Sequence, residues 1–144
     1  MKKLFITMFA AGTIGLLASC GTAQNAASSA YALKGDWRIT NVEGLDVKQK
    51  PGDREAYIGF NVKDGQMSGC AGCNRIFGPY TLGEKSGTIS FANTASTRMM
   101  CADMTVEDRV LGAMAKVAKY KIKNGNTLQL KNSDGKVVMT LEKK

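Results

Sequence analysis

The residues best equipped for chemistry are Cys70, Cys73 and Cys101. The first two form Cys70-x-x-Cys73 within GCAGCNRIFG (residues 69–78), and Cys101 follows Met99-Met100 and precedes Met104. A thioredoxin-like dithiol needs its first cysteine at a helix N-terminus, where the dipole lowers the thiol pKa, within a βαβ unit. Gly78-Pro79 stops any helix soon after Cys73, and the sequence shows no parallel βαβ pattern. A structural zinc takes four Cys or His ligands, and the chain has no His. A softer Cu(I) site could draw on Met99, Met100 and Met104, but Met is also a common filler of cores. The third chemistry is a structural disulfide, which we favour. A 73–101 bridge closes 29 residues and stabilises by about 3.6 kcal/mol in the loop-entropy model, against about 1.9 kcal/mol for a four-residue 70–73 loop. The same model does not choose between Cys70 and Cys73 as the partner of Cys101.

The fourth cysteine defines the compartment. Lys2 and Lys3 precede an uncharged, mostly apolar run of 14 residues, Leu4 to Leu17, shorter than the roughly 20 residues of a membrane-spanning helix. We read residues 1–19 as a cleaved secretory signal. Leu17-Ala18-Ser19-Cys20 resembles the bacterial lipobox, so Cys20 is the expected lipidation site, and two acyl chains suffice for stable anchoring. Gly21 is not the Asp that resembles an inner-membrane retention signal, so an outer-membrane anchor facing the periplasm is expected. Residues 20–33 are small, polar and uncharged and read as the lipidated Cys with a flexible tether. The folded domain is then expected over 34–144. In an exported, oxidising compartment Cys70, Cys73 and Cys101 are an odd number, so one thiol is left over.

Composition argues against familiar catalysis. Without His, neither a Ser-His nor a Cys-His pair can form and the usual neutral-pH proton shuttle is missing. Asp64, Glu84, Glu107, Asp108 and Asp134 fall in predicted turns or near a helix start, where solvation explains them. No phosphate-cradling glycine loop is visible, and no metal or cofactor is expected. The formal charge of +8 could favour anionic lipid or acidic glycan, but the lysines are scattered, clustering only in KVAKYKIK (116–123). Nucleic acid is not an expected partner of an exported protein.

The elements that must position these residues are mostly short strands. Trp37–Val42, Tyr57–Lys63 and Gln66–Gly69 alternate, the last two joined by Asp64-Gly65, a hairpin signal in which both residues tolerate positive φ. Pro79–Leu82 and Thr88–Phe91 flank the turn 83–87. Tyr120–Lys123, Thr127–Leu130 and Val137–Leu141 form a meander. Only Met104–Ala118 has helical spacing, with Val106, Val110, Met114 and Val117 on one stripe and Thr105-x-x-Asp108 approximating a capping box. The expected fold is mainly β with one helix: a small antiparallel, barrel-like sheet closed by a single amphipathic helix.

Gly72-Cys73-Asn74-Arg75 with Gly78-x-Tyr80, then Ser96-Thr97-Arg98-Met99-Met100-Cys101, resemble the two signatures of the META domain, the HslJ-like family of small bacterial envelope proteins. Gly35-x-Trp37, Glu107 and strands near Leu128 continue the likeness over about residues 35–141. The resemblance implies a Cys73–Cys101 disulfide, leaving Cys70 outside the motif. It marks Gly72, Asn74, Arg75, Thr97, Arg98 and Met99 as motif residues with structural or binding roles. Asn74 suits local backbone bonding or a positive-φ turn, Arg75 and Arg98 suit a carboxylate or an anionic ligand, and Trp37 suits the core. Members of the family are associated with stress tolerance, some with motility or antibiotic resistance, without a defined molecular activity. The expected function is therefore a non-catalytic, lipid-anchored envelope protein, a monomer held to the membrane by its lipid, with an unknown envelope protein or ligand as partner. The competing readings are thiol redox or copper handling through Cys70, Cys73 and Cys101, and a barrel that binds a protein or small ligand, such as a lysozyme inhibitor.

Overall fold

The computed structural model describes residues 30–48, 51 and 54–144. The proposed signal segment, Cys20 and the tether up to Ser29 lie outside the described residues. Eleven strands follow: β1 (Gly35–Val42), β2 (Leu45–Asp46), β3 (Tyr57–Asn61), β4 (Gln66–Cys70), β5 (Arg75–Pro79), β6 (Thr81–Leu82), β7 (Ile89–Ser90), β8 (Ala95–Ser96), β9 (Lys119–Lys123), β10 (Thr127–Lys131) and β11 (Val137–Lys143), with helix α1 (Thr105–Met114) between β8 and β9. Nine of the strands form one antiparallel sheet in the order β8-β5-β4-β3-β1-β11-β10-β9, with β2 beside β1. The first and last strands of the domain, β1 and β11, therefore meet at its centre.

The sheet does not close on itself. Its two ends are β8 and β9, and the β6–β7 hairpin forms a separate two-stranded sheet. That hairpin reaches β9 through a Thr88–Lys119 bridge and the Tyr120 N–H to Gly87 carbonyl bond.

Alternation along the strands places Trp37, Ile39, Ile58, Phe60, Met67, Ile76, Leu128, Leu130, Met139 and Leu141 in one core, as period-two side-chain geometry requires. Helix α1 covers that face over β1 and β11. Phe60 meets Tyr80 edge-on at 5.2 Å, and burial, helped by nearby Tyr120, pushes the Tyr80 phenol pKa up.

Several expectations change in detail. Leu33, placed in the tether, is fully buried; Ala30–Leu33 form a helical turn, and the Leu33 carbonyl accepts the Trp37 Nε1–H at 2.7 Å. The expected Asp64-Gly65 turn forms, but only Gly65 takes positive φ, at 63°. The helix ends at Met114, four residues early. Its N-cap is Met104, without a side-chain cap bond, so the Thr105–Asp108 box does not form. Asp103 replaces it, its Oδ1 accepting the Thr105 N–H at 2.9 Å.

Candidate functional site

The two motifs converge at one corner. Residues 71–74 link β4 to β5 in a tight turn closed by the Ala71 N–H bond to the Asn74 carbonyl. Gly72 sits there at φ 128°, a conformation that a side chain would strain.

The corner is filled from α1. Glu107 is buried in its first turn. One carboxylate oxygen accepts the Cys73 N–H at 3.1 Å and the Asn74 N–H at 2.6 Å, while the other accepts from Asn74 Nδ2 at 2.6 Å. No Lys or Arg pairs with it among the described residues. Three N–H donors and the positive end of the helix surround the carboxylate instead.

Asn74, also buried, uses its whole amide. Besides Glu107, Nδ2 donates to the Met99 carbonyl at 2.9 Å, and Oδ1 accepts the Met99 N–H at 2.6 Å and the Thr97 hydroxyl at 2.8 Å. A carboxamide carries the donor and acceptor of a peptide group, so Asn74 pairs with Met99 as a strand residue would. It thereby extends the short β5–β8 ladder beyond Ser96. Thr97 fills the interval: its N–H donates to the Arg75 carbonyl, and its hydroxyl accepts the Arg75 N–H at 3.1 Å. Cys73 and Cys101 then form a disulfide, with α-carbons 6.1 Å apart. Alternate residues 97, 99 and 101 thus hold the second motif to the first.

Among the motif residues, Asn74 is not in the positive-φ region, and its side chain bonds a distant segment, not its own turn. Glu107, read as a solvated acid, is at the centre of the corner. Arg75 and Arg98 are exposed and have no carboxylate partner among the described residues. Met99 contributes its backbone, its side chain being half exposed, and Cys70 is a buried free thiol at the end of β4. No group of three or more Cys, Asp or Glu among the described residues is arranged to hold a metal. The polar centre has no spare donor on Asn74 and no open face on Glu107.

Fold and corner together define a small open-sheet domain pinned by one helix and one disulfide. The META domain model matches residues 30–144, and the chain belongs to the META domain family. Among solved structures, a protein from Burkholderia xenovorans determined by NMR superposes with TM-score 0.61 at 19% identity, over 95% of this chain and 99% of that one. A second NMR structure gives 0.60 at 23% identity, over 79% and 92%. A DUF4847-family protein from Bacteroides vulgatus gives 0.54 at 15%, over 78% and 94%. These likenesses concern the fold. Comparison with curated proteins gave no match.

Proposed function

We propose that this is a non-catalytic, lipid-anchored protein of the bacterial cell envelope, in which a META domain is held off the membrane to engage an envelope partner or ligand under stress. META membership supports an envelope-associated role, and the lipobox-like Leu17–Cys20 supports the anchor. The observation that carries the non-catalytic reading is the saturation of the motif centre: the side-chain bonds of Asn74 and Glu107 all go to the protein, so the signature builds a joint, not a reaction centre. Labelling cells with a palmitate analogue and fractionating their envelopes tests the reading. The wild-type chain is expected to carry label in the outer-membrane fraction, and Cys20→Ser to lose both label and membrane association. Crosslinking in the same cells should then recover a defined partner. An unlabelled wild-type chain free in the periplasm would refute the anchor, and turnover of a small substrate by the purified chain would refute the non-catalytic reading.

A further inference from the structure

The end of the domain where the chain arrives from its N-terminal segment carries an exposed aromatic ringed by lysines. Tyr31 is 66% exposed. It lines a hollow of about 260 Å³ together with Lys34 and Lys63. Its neighbour Ala32 lines a second hollow with Lys121, on the outward face of the sheet's last strand. Lys123 follows two residues on along the same exposed face of β9. Lys143 completes the ring, its ammonium bonding the Lys34 carbonyl while lying 4.4 Å from the Trp37 ring centre. None of these five lysines has a carboxylate partner among the described residues. The acid of the adjoining β3–β4 turn, Asp64, is held by Asn61 Nδ2 at 2.7 Å.

We propose that this end seats on the anionic phospholipid headgroups of the membrane that holds the lipid on Cys20, an inference that rests on the anchor proposed above. The ten residues from Cys20 to Ala30 can reach at most ~35 Å. The anchor therefore holds this end of the domain within reach of the bilayer. Tyrosine favours the interfacial region, with its ring among apolar groups and its hydroxyl in water. Each lysine at an anionic surface shifts the seating equilibrium by about fivefold.

The test is amine footprinting of the full-length lipidated chain on two kinds of vesicle. One is pure phosphatidylcholine; the other is phosphatidylethanolamine with phosphatidylglycerol. Flotation with the neutral vesicles reports the anchor alone. On anionic vesicles Lys34, Lys63 and Lys121 should acetylate several-fold more slowly, relative to exposed Lys136, than on neutral ones. About 1 M NaCl, where the Debye length is ~3 Å, should abolish the difference. Combining K34Q, K121Q and K123Q should reduce seating on the order of a hundredfold without affecting flotation on neutral vesicles. Equal relative labelling on both vesicles in a chain that floats would overturn the seating proposal. A chain that fails to float on neutral vesicles would overturn the anchor, and with it the proposal that depends on it.

Discussion

Replacing Glu107 by alanine would strip the Cys73 and Asn74 N–H groups and the Asn74 amide of an acceptor in a site closed to water. Each buried donor left without a partner costs about 1–3 kcal/mol, so Glu107→Ala is expected to lose at least ~3 kcal/mol in urea unfolding under oxidising conditions. Glu107→Gln should lose less, because one oxygen still accepts while the new amide meets an N–H. Helix spacing carries the sign of this residue: 107, 110 and 114 share one face, and all three are buried. The stripe was read through Val106, Val110, Met114 and Val117; the last three are buried and Val106 packs in part against the core, but Glu107 beside it was missed because an acid was assumed to face water. Cys70 is legible only as an odd thiol. It is 4% exposed, so it is expected to resist Ellman's reagent in the folded domain and to react on denaturation. Fast reaction in the native state would contradict its burial.

Helix α1 and the short strand β8 owe their positions to different devices. The Thr105 N–H bond to Asp103 holds that carboxyl's pKa below the usual aspartate value. A depressed folded-state pKa means that the cap contributes at pH above the unfolded value of 3.8 and is lost as pH falls through the folded one. Amide exchange at Thr105 should therefore lose protection on acidification below about pH 4, and Asp103→Ala should show the same loss at neutral pH. Strands β1, β3, β4 and β9 to β11 were visible in the sequence because their apolar residues alternate between turn signals. Strand β5 was not, since its pattern is inverted: Phe77 is exposed and Gly78 buried. A Cβ at Gly78 would overlap the Asn93 carbonyl oxygen, so glycine there permits the β8 approach and does not mark a chain turn. Two-residue β8 has no period to read; it pairs with β5 through Ser96 and Ala95, and the side chains of Asn74 and Thr97 continue that pairing beyond Ser96. Gly69 is a second close approach, where a Cβ would overlap the Tyr57 carbonyl. Gly69→Ala must push β3 from β4 and should cost more than the ~1–3 kcal/mol usual for overpacking. Near-wild-type stability would contradict the register.

For the whole molecule, the order β8-β5-β4-β3-β1-β11-β10-β9 places the two motifs at one end of the sheet and the C-terminal meander at the other, with α1 spanning between them. The Cys73–Cys101 bridge joins positions 28 apart in sequence; cutting it with Cys101→Ser is expected to cost about 3–4 kcal/mol while leaving the meander folded. Sequence pattern conveyed the mainly-β class and the amphipathic helix, because those rest on local periodicity, and the family resemblance supplied the disulfide pairing. It did not convey the corner, whose bonds link residues more than twenty positions apart. The central claim is that Asn74 and Glu107 act as one joint. A double-mutant cycle on Asn74→Ala and Glu107→Ala, read by urea unfolding of the oxidised chain, tests it most directly. The expected coupling lies in the upper part of the ~0.5–3 kcal/mol range for contacting residues, with the double variant little worse than the worse single one. Strictly additive losses would contradict it.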